Sequence, residues 1–521
     1  MKILKRGRKE RVVIFGTGSA ARNFVPTVRS KYEIVAYMDN DTTKQGTFIG
    51  TTPVLAPSAI STLDIDLILI ASDFFEEIYH NLKTNKHFKT IPIIYYRSVV
   101  SKKPLLKQWR KSCQNFSRNL ICRLPQSISK LYRPFFQFFG YDIIPTENLD
   151  DCQSNKIQIF RQAKQHHIAG PNFIDRSQKF VEITIPEVAA YQFSDAQICA
   201  ISRAFAIGNK SLVIEKMHTI SMKFAKYNKG HVLHHFEDKQ ALIKTGHQRI
   251  FERGILINGY YDSNYYHWII EILSQLEYLK ELNEKFASYP LIISKMAFKY
   301  ESIKELISLF NLPNEFIKIS STETVKVKDL IILNSPNRCC PRIKGAAWSP
   351  PEYIYYRDDS LNYLRNLVLN SLPRSDVPKI KRVFLAPSMK HRCYNQDEVF
   401  ENLSRYGFKK VNPENMTIIE QATVFSNADI IVGPTGAAWT NILFAKKGAK
   451  ALCWMAEEWG NASTFSNLAY IVGVQLIYIT YRAGVSDHEN LYSKSYELNI
   501  DDVNLWLRDS LNLTTEKDDG H

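Results

Sequence analysis

The chain has 521 residues, of which 45% are hydrophobic and 23% charged, a composition that is typical of folded globular proteins and excludes a disordered or fibrous chain. A single hydrophobic core does not grow to that length, so we expect roughly two to four domains. The formal net charge of +15 indicates an anionic partner, which could be a nucleic acid, an anionic lipid or a phosphorylated substrate. Because no helix-turn-helix, zinc or RNA-binding signature is present, we expect no nucleic-acid partner.

Residues 1–100 predict a Rossmann-like, nucleotide-binding-like domain. Strands at Arg11–Phe15 and Glu33–Met38 flank a glycine turn that begins a helix. Glycines in such a turn let the backbone approach a pyrophosphate, and an acid that ends the second strand can bind a ribose hydroxyl. We therefore expect a nucleotide or NAD-like ligand here, and a scaffold domain without a ligand is the alternative. The candidate cofactor-binding residues are Gly16, Gly18, Ala21 and Asp39.

Three stretches of this domain resemble the small nucleotide-binding-like domain at the front of bacterial sugar-modifying enzymes: Val13–Ser19, Ala36–Asp41 and Gly50–Leu55. The resemblance implies a domain that binds a nucleotide or nucleotide-sugar, or one that is only a scaffold. Asp39-Asn-Asp41 also has the form of a metal-binding DxD motif. Its place just after a strand favours ribose binding or turn capping, so we predict no metal site there.

Residues 101–149 predict a basic aromatic linker. Between Ser101 and Tyr141, lysines and arginines alternate with aromatic residues, and the stretch contains no Asp or Glu. This pattern suits the anionic face of a membrane, whereas a solvated linker helix packed on a domain is the alternative. No segment approaches the ~20 apolar residues that span a bilayer, and no apolar block of a signal peptide follows the basic N-terminus. Eight cysteines without a CxxC pair indicate a reducing compartment. We expect a cytoplasmic protein in peripheral contact with the inner face of the membrane.

Residues 150–372 and 373–521 predict two further α/β units. Strand and helix signals alternate most clearly from about residue 254 onwards, and again after the loop at 373–378. In the last unit, the strands Arg382–Ala386 and Asp429–Val432 are each followed by a loop and a helix. Open α/β sheets bind ligands beyond the carboxyl ends of their strands, so these two loops are candidate binding loops.

A first cluster of polar and aromatic residues lies at 262–271. His267 and Glu271 are four residues apart and therefore share one face of a helix. A histidine at a helix start can act as a general base, and a structural histidine is the alternative. The catalytic candidates are His267, Glu271 and Asp262, and the substrate-binding candidates are Asn264, Tyr266 and Trp268.

Two further clusters lie in the candidate binding loops of the last unit. Lys390 and Arg392 could neutralise a diphosphate, Arg392 by paired hydrogen bonds, or could belong to an exposed basic loop. The turn at 433–441 begins a helix, where backbone amides attract a phosphate; a tightly packed turn without a ligand is the alternative. The candidates for substrate binding in these loops are Lys390, Arg392, Asn395, Gly433, Thr435, Gly436, Ala437 and Asn441.

Together these clusters resemble glycosyltransferase family 61, of the capsular or surface polysaccharide type, over about residues 250 to 480. Thr435 stands where family members often have a histidine, and Pro387 where many have an arginine. These two departures concern phosphate and acceptor contacts rather than the class of enzyme. The matching motifs are, in order, Asn264-Tyr-Tyr-His-Trp with Glu271, Arg392-x-x-Asn395, Gly407-Phe408, Glu420-Gln421, and Gly433-x-x-Gly436-Ala-x-x-Thr-Asn441 followed by Leu443-Phe444.

The resemblance implies an inverting hexosyl- or pentosyltransferase that requires no metal. Its fold would be α/β, with the N-terminal Rossmann-like domain followed by a GT-B-type pair of Rossmann-like domains. Residues 150–372 would then be the acceptor side, and residues 373–521 would hold a nucleotide-sugar donor. His267 would serve as base or acceptor anchor with Glu271 orienting it. Glu420 and Glu457 are reserve candidates for the base, since either could face the cleft, and Glu457 is also a candidate for substrate binding.

The resemblance also implies that the acceptor is a growing capsular or lipopolysaccharide glycan, carried on a membrane lipid. Two alternatives are open. A nucleotide-sugar oxidoreductase would rest on the N-terminal glycine turn alone. A non-catalytic polysaccharide-assembly protein is favoured by the departures at Thr435 and Pro387, but the retention of His267, Arg392 and Gly436 argues against it.

Overall fold

The computed structural model divides the chain into two compact units, Met1–Leu120 and Ile121–His521. Among the described residues, no helix combines the length and apolar character needed to cross a bilayer. Most of the predicted linker, residues 101–128, lies outside the described residues, so its membrane contact stays a prediction. The structure describes residues 9–18, 21, 25, 28–29, 32–71, 78–79, 82, 91–95, 129–138, 140–208, 210–217, 227–236, 239–247, 249–339, 351–373, 379–386, 392–485 and 491–511.

The first unit is built on a six-stranded sheet with the strand order β3-β4-β2-β1-β5-β6. All neighbouring strands run parallel except β3, which pairs antiparallel with β4. Residues 12–15 and 67–70 are buried without interruption, because strands of a parallel sheet are covered on both faces. The strands are β1 Glu10–Phe15, β2 Tyr32–Met38, β3 Phe48–Ile49, β4 Thr52–Leu55, β5 Leu67–Ile70 and β6 Ile93–Tyr95, with a 3₁₀ helix at Pro57–Thr62.

The first half of the second unit is an eleven-stranded mixed sheet. Its order is β14-β15-β7-β13-β12-β11-β19-β16-β17-β18, and β8 pairs with β11. The strands of the second unit up to this point are β7 Tyr141–Asn148, β8 Lys156–Arg161, β9 Lys164–Ala169, β10 Phe180–Ile185, β11 Val188–Cys199, β12 Ala204–Ile207, β13 Ser211–Ile214, β14 Val232–Phe236, β15 Gln240–Lys244, β16 Arg249–Ile257, β17 Leu291–Ser294, β18 Phe316–Ile319 and β19 Thr324–Leu333.

This sheet is α/β as expected, but it differs from a doubly wound Rossmann-like domain. β11, β12 and β13 follow one another as an antiparallel meander, whereas β16 pairs parallel with β17 and β19. Short connections join the antiparallel strands, so no helix separates them and the sequence shows no clear alternation before residue 254. Two small additions are the β9–β10 hairpin and the pair β20 Arg338–Cys339 with β21 Ile354–Tyr355.

The second half of this unit is a five-stranded, all-parallel sheet with the order β23-β22-β24-β25-β26. The predicted strands of this half are present. Its strands are β22 Arg382–Leu385, β23 Lys409–Val411, β24 Ile430–Pro434, β25 Lys450–Ala456 and β26 Gln475–Tyr481. In the described part of the second unit, the α-helices are α1 Ser129–Phe138, α2 Glu301–Leu309, α3 Asp358–Leu369, α4 Gln396–Arg405, α5 Ile418–Asn427, α6 Thr464–Val472 and α7 Ile500–Leu511.

Shorter helical segments connect the strands and helices of the second unit. Thr417 and Glu420 form a reciprocal capping box at the start of α5, so Glu420, considered above for the cleft, serves to begin a helix. The segments are the π-helix His267–Ile272 and the 3₁₀ helices Leu149–Asp151, Gln153–Asn155, Leu273–Lys280, Glu284–Phe286, Lys295–Phe298, Pro351–Tyr353, Pro413–Asn415, Ala437–Phe444 and Glu457–Trp459.

The two halves pack on each other through one continuous apolar core that includes Ile293 of β17 and Trp439 after β24. Polar contacts cross the same seam. Glu305 of α2 accepts the Ile418 amide at the start of α5 at 2.7 Å, which satisfies one open donor of that helix. The loops at the seam are therefore held by regular elements on both sides.

Candidate active site

His267 and Glu271 form a hydrogen-bonded pair in the first half of the second unit. The His267 Nδ1 lies 2.7 Å from the Glu271 Oε2, and the Glu271 Oε1 accepts the Cys339 amide at 2.6 Å. Because a carboxylate only accepts hydrogen bonds, Nδ1–H donates a hydrogen bond to Glu271, and Nε2 is left as a proton acceptor. The pair has the arrangement of a general base with an orienting acid.

The helix that carries this pair is irregular. The sequence predicts a regular amphipathic helix through Leu279, but the structure has the π-helix His267–Ile272 followed by the 3₁₀ helix Leu273–Lys280. At the transition, the Ser274 hydroxyl donates to the Ile270 carbonyl at 2.7 Å and the Gln275 amide to the Glu271 carbonyl at 3.0 Å. Side chains thus satisfy carbonyls that a regular ladder would use. Short π-helical turns occur frequently at functional sites.

Two tyrosines flank the imidazole. The Tyr261 and Tyr266 rings lie with centroids 4.7 and 5.0 Å from the His267 ring. Tyr266 is buried and its hydroxyl lies 2.6 Å from the Tyr356 hydroxyl. It therefore packs inside the protein behind His267 and does not present a surface to a substrate. Tyr261 is only partly buried, and the Lys229 ammonium lies 4.0 Å from its ring centroid. The sequence analysis missed Lys229, because nothing in its local pattern places it near residue 261.

Arg392 is the centre of the second half of the site. Its Nη2 donates to the Thr435 carbonyl at 3.0 Å, and its guanidinium lies over the rings of Trp459 and Tyr492, 5.0 and 5.5 Å from their centroids. Arg392 has φ = +53°, a backbone conformation that non-glycine residues rarely adopt. Such strain persists where the surrounding structure requires it, frequently at functional sites. Lys390, predicted beside it, lies outside the described residues.

A cavity of about 640 Å³ lies between the two halves, within the size range of small-molecule sites. Neither His267 nor Glu271 is among the described residues that line it, but the next residue, Trp268, is. The predicted site residues that line the cavity are Asn264, Trp268, Arg392, Thr435, Gly436 and Ala437.

The cavity also has lining residues that the sequence analysis missed. Glu414 and Asn415 lie three and four residues after the end of β23, at the same carboxyl edge of the sheet as Gly436, which follows β24. Because strands are ~4.8 Å apart, these two strand ends lie about 10 Å apart across the cavity floor. Glu414 could have been predicted from the sequence, because an acid after the second strand of a parallel sheet is a typical ribose-binding residue. Tyr394 and Tyr300 complete opposite walls.

The two glycines of the predicted phosphate turn have different roles. A Cβ at Gly433 would lie 2.7 Å from the Leu385 Cβ, so Gly433 is needed for the close packing of β24 against β22. At Gly436 the nearest atom to an added Cβ would be the Arg392 Nη2, at 3.7 Å. Gly436 therefore opens onto the space beside the guanidinium. Gly433 therefore fits the expectation of a tightly packed turn. Gly436 fits the expectation of a backbone that is open to a ligand.

Two predicted polar residues are engaged inside the walls. Asp262 is buried, and its Oδ2 accepts the hydroxyls of Ser294 and Ser321, so it fixes its own loop rather than facing a ligand. Asn441 is fully buried; it accepts the Tyr265 hydroxyl at 2.8 Å and donates to Gln421 at 2.6 Å. These bonds hold the wall in which Tyr265 and Gln421 line the cavity.

Two more predicted residues lie away from the cavity lining. Asn395 exchanges hydrogen bonds with the backbone of Leu498, at 2.9 and 3.1 Å, and so anchors the segment before α7. Glu457 is about half exposed and accepts from the Arg482 guanidinium at 2.9 Å. Neither Asn395 nor Glu457 is among the described residues that line the cavity.

The N-terminal glycine turn has its predicted acid, but that acid is already bonded. Gly16 has φ = +104°, which requires glycine, and its amide donates to the Met38 carbonyl at 2.7 Å. The Asp39 Oδ2 accepts the amide and the hydroxyl of Thr17, and the Lys44 ammonium lies 3.7 Å away. Asp39 thus caps the turn between Gly16 and Gly18. Ala21 is buried under the sheet.

Comparison with known families agrees with this geometry. Residues 265–452 match the family model Glycosyltransferase 61, a region that starts at the wall residue Tyr265 and includes His267, Arg392 and Gly436. Residues 8–89 match the model C2185-like, N-terminal. No curated protein matches the chain at a significant level. Residues 265–452 are therefore similar to glycosyltransferase family 61, and this similarity supports a glycosyltransferase.

Proposed function

We propose that this protein is an inverting glycosyltransferase that moves a sugar from a nucleotide-sugar donor to a growing capsular or lipopolysaccharide glycan. One observation carries the proposal. Arg392 and Gly436, 44 positions apart in the sequence, meet beside one cavity, with the Arg392 Nη2 bonded to the carbonyl of Thr435. A guanidinium beside an open backbone turn at the carboxyl ends of parallel strands is a site for a diphosphate.

The donor binds, in this proposal, on the five-stranded sheet in a GT-B-type arrangement. The diphosphate lies between Arg392 and the turn Gly436–Ala437, and the nucleoside extends along the cavity floor towards the end of β23. The cavity of about 640 Å³ has room for such a ligand. Thr435, where relatives often have a histidine, contributes its carbonyl to orient Arg392, so this turn does not depend on an imidazole at that position.

Transfer is a single displacement at the anomeric carbon of the donor sugar. The acceptor oxygen forms a bond to that carbon while the bond to the diphosphate oxygen breaks, which inverts the configuration. The acceptor proton passes to the His267 Nε2, with Glu271 stabilising the resulting imidazolium. The charge on the departing nucleoside diphosphate is stabilised by Arg392.

The acceptor side is the eleven-stranded half, where Tyr261 and Lys229 lie next to His267. Aromatic faces with a neighbouring cation suit a glycan that carries an anionic group. The net charge of +15 further supports a place at the inner, anionic face of the membrane, in the cytoplasm. In this proposal the N-terminal unit binds a nucleotide or serves as a scaffold.

The test is a calorimetric and thermal-shift screen of the full chain against UDP-, GDP-, CMP- and dTDP-sugars and against NAD(P). We expect saturable binding of one sugar nucleotide, weakened at least tenfold by Arg392→Ala because a charge-assisted bond contributes about 1.5–3 kcal/mol. Arg482→Ala removes an exposed arginine that pairs with Glu457 and serves as the control. Binding of NAD(P) alone, lost in Asp39→Ala, would instead favour an oxidoreductase.

A further inference from the structure

A buried charge cluster lies behind the His267–Glu271 pair. Arg203, Glu215 and Arg338 are 5%, 5% and 2% exposed. The Arg203 Nε donates to the Glu215 Oε2 at 2.6 Å, and the Arg338 Nη2 donates to the Glu215 carbonyl at 2.6 Å. Burial would raise the pKa of Glu215, but the two arginines hold it below its usual value.

Stability alone is a weak explanation for this cluster. Two buried cations face one buried anion, and desolvating such groups costs as much as their attraction returns. Apolar residues of similar volume would serve a core equally well. A cluster of this kind can instead fix one particular arrangement of the groups that it touches, so its contacts indicate its role.

The cluster reaches Glu271 by two routes. Through the first, the Arg203 Nη1 donates to the Gln275 Oε1 at 3.2 Å, and the Gln275 Nε2 donates to the Glu271 carbonyl at 3.0 Å. Through the second, Arg338 fixes the strand β20, and the next amide, that of Cys339, donates to the Glu271 Oε1 at 2.6 Å. Both the backbone and the carboxylate of Glu271 are therefore held from this side.

We propose that Gln275 is a positioning residue for the transfer reaction, through which the Arg203–Glu215–Arg338 cluster holds Glu271 and thereby fixes the tautomer of His267. The need for such support follows from the local backbone. Glu271 lies in a π-helical turn directly before a 3₁₀ helix, so a regular backbone ladder does not orient it. This inference rests on the proposed function only for its kinetic consequence.

The first measurement requires no substrate. In the full chain labelled with ¹⁵N-histidine, the ring shifts report which nitrogen of His267 carries the proton, and His267→Gln identifies the signals. We expect Nδ1 to be protonated in the wild type and the two tautomers to be mixed in Gln275→Leu. Gln275→Glu keeps an acceptor for Arg203 but loses the donor to Glu271, so we expect the same mixture of tautomers. It replaces Gln275→Leu in the experiment if that variant fails to fold.

The second measurement is kinetic. We expect kcat to fall about tenfold to a hundredfold in Gln275→Leu, part of the 10²–10⁴-fold that a general base contributes, with unchanged donor affinity. The control is Gln192→Leu, which removes a 2.8 Å hydrogen bond from Gln192 of β11 to Asp329 of β19. This variant should leave both the His267 tautomer and kcat unchanged. A wild-type tautomer in both Gln275 variants would overturn the proposal. A changed tautomer in a protein that transfers no sugar would keep it and reject the proposed function.

Discussion

The Nδ1 of His267 lies 2.7 Å from the Oε2 of Glu271, while the other oxygen of Glu271 accepts a backbone amide at 2.6 Å. With both oxygens engaged, the carboxylate has one orientation, and the imidazole bonded to it has one tautomer. The two residues are four apart in sequence, and the turn between them is π-helical, but the amide that holds Glu271 belongs to Cys339, 68 positions further along the chain.

Replacing His267 by Ala should lower kcat for sugar transfer by about 10²–10⁴-fold, because the base that accepts the acceptor proton is lost. Donor affinity should be unchanged, since His267 is not among the described residues that line the cavity. Initial rates and calorimetry measure the two quantities. His247→Ala, at an exposed histidine, is the control. Normal turnover of His267→Ala would reject the assignment of the base.

Alanine at the two glycines of the donor turn should have opposite effects. Gly433→Ala places a Cβ 2.7 Å from Leu385 and 3.1 Å from its carbonyl oxygen, which should lower the free energy of unfolding by about 1–3 kcal/mol. Gly436→Ala meets only the Arg392 guanidinium, at 3.7 Å, so the midpoint of thermal unfolding should not change. Its methyl group occupies the proposed diphosphate position.

Calorimetry of Gly436→Ala with the donor found in the screen should therefore show at least a tenfold loss of affinity, which corresponds to about 1.4 kcal/mol. Equal stability losses in both variants would show that the whole turn is structural. Unchanged donor affinity in Gly436→Ala would place the diphosphate elsewhere.

Glu414 should discriminate ribonucleotides from deoxyribonucleotides. It follows the second strand of the five-stranded sheet and lines the cavity, the place where an acid binds ribose hydroxyls in nucleotide-binding sheets. Glu414→Gln should weaken binding of the ribonucleoside diphosphate about tenfold, because a hydrogen bond to a charged group contributes about 1.5–3 kcal/mol.

The 2′-deoxy analogue should bind weakly to the wild type and show little further loss in Glu414→Gln. Glu420→Gln is a matched control. The Glu420 side chain is bonded within the capping box of α5, and glutamine at this position can keep that capping box. If Glu414→Gln weakens both nucleotides equally, Glu414 does not read the ribose.

Glu277 should make stability depend on pH. Burial raises the pKa of Glu277 to about 7, although Arg161, 3.4 Å away, opposes the rise. The folded state therefore holds a proton that the unfolded state releases near pH 4.5, and stability should fall as pH rises from about 4.5 to 7.

Glu277→Gln should be more stable than the wild type by about 3 kcal/mol at pH 8 and similar to it at pH 4.5, as measured by denaturant unfolding. Glu281→Gln, at the more exposed partner of Arg161, should not reproduce this pattern. A wild type whose stability is flat over this range would show that the carboxyl is ionised in the folded state.

The sequence by itself determined the chemistry that local spacing can encode. The spacing of His267 and Glu271, the strand–turn–helix order around Gly436 and the place of Arg392 after a strand were all readable, because neighbours in sequence set turns, caps and strand ends. The parallel strands of the last half were predicted for the same reason, since each is separated from the next by a helix.

Only the tertiary structure decided which of those side chains face the cavity. Asp262 has suitable chemistry, but it accepts hydrogen bonds from serine hydroxyls. Asn441 is likewise bonded to Tyr265 and Gln421. Glu414 lines the cavity because the ends of β23 and β24 lie at one edge of the sheet. Contacts of this kind join residues far apart in sequence, as do the antiparallel pairings of β11. A local pattern contains no information about which distant atoms satisfy a polar group, and that choice separates a wall residue from a binding residue.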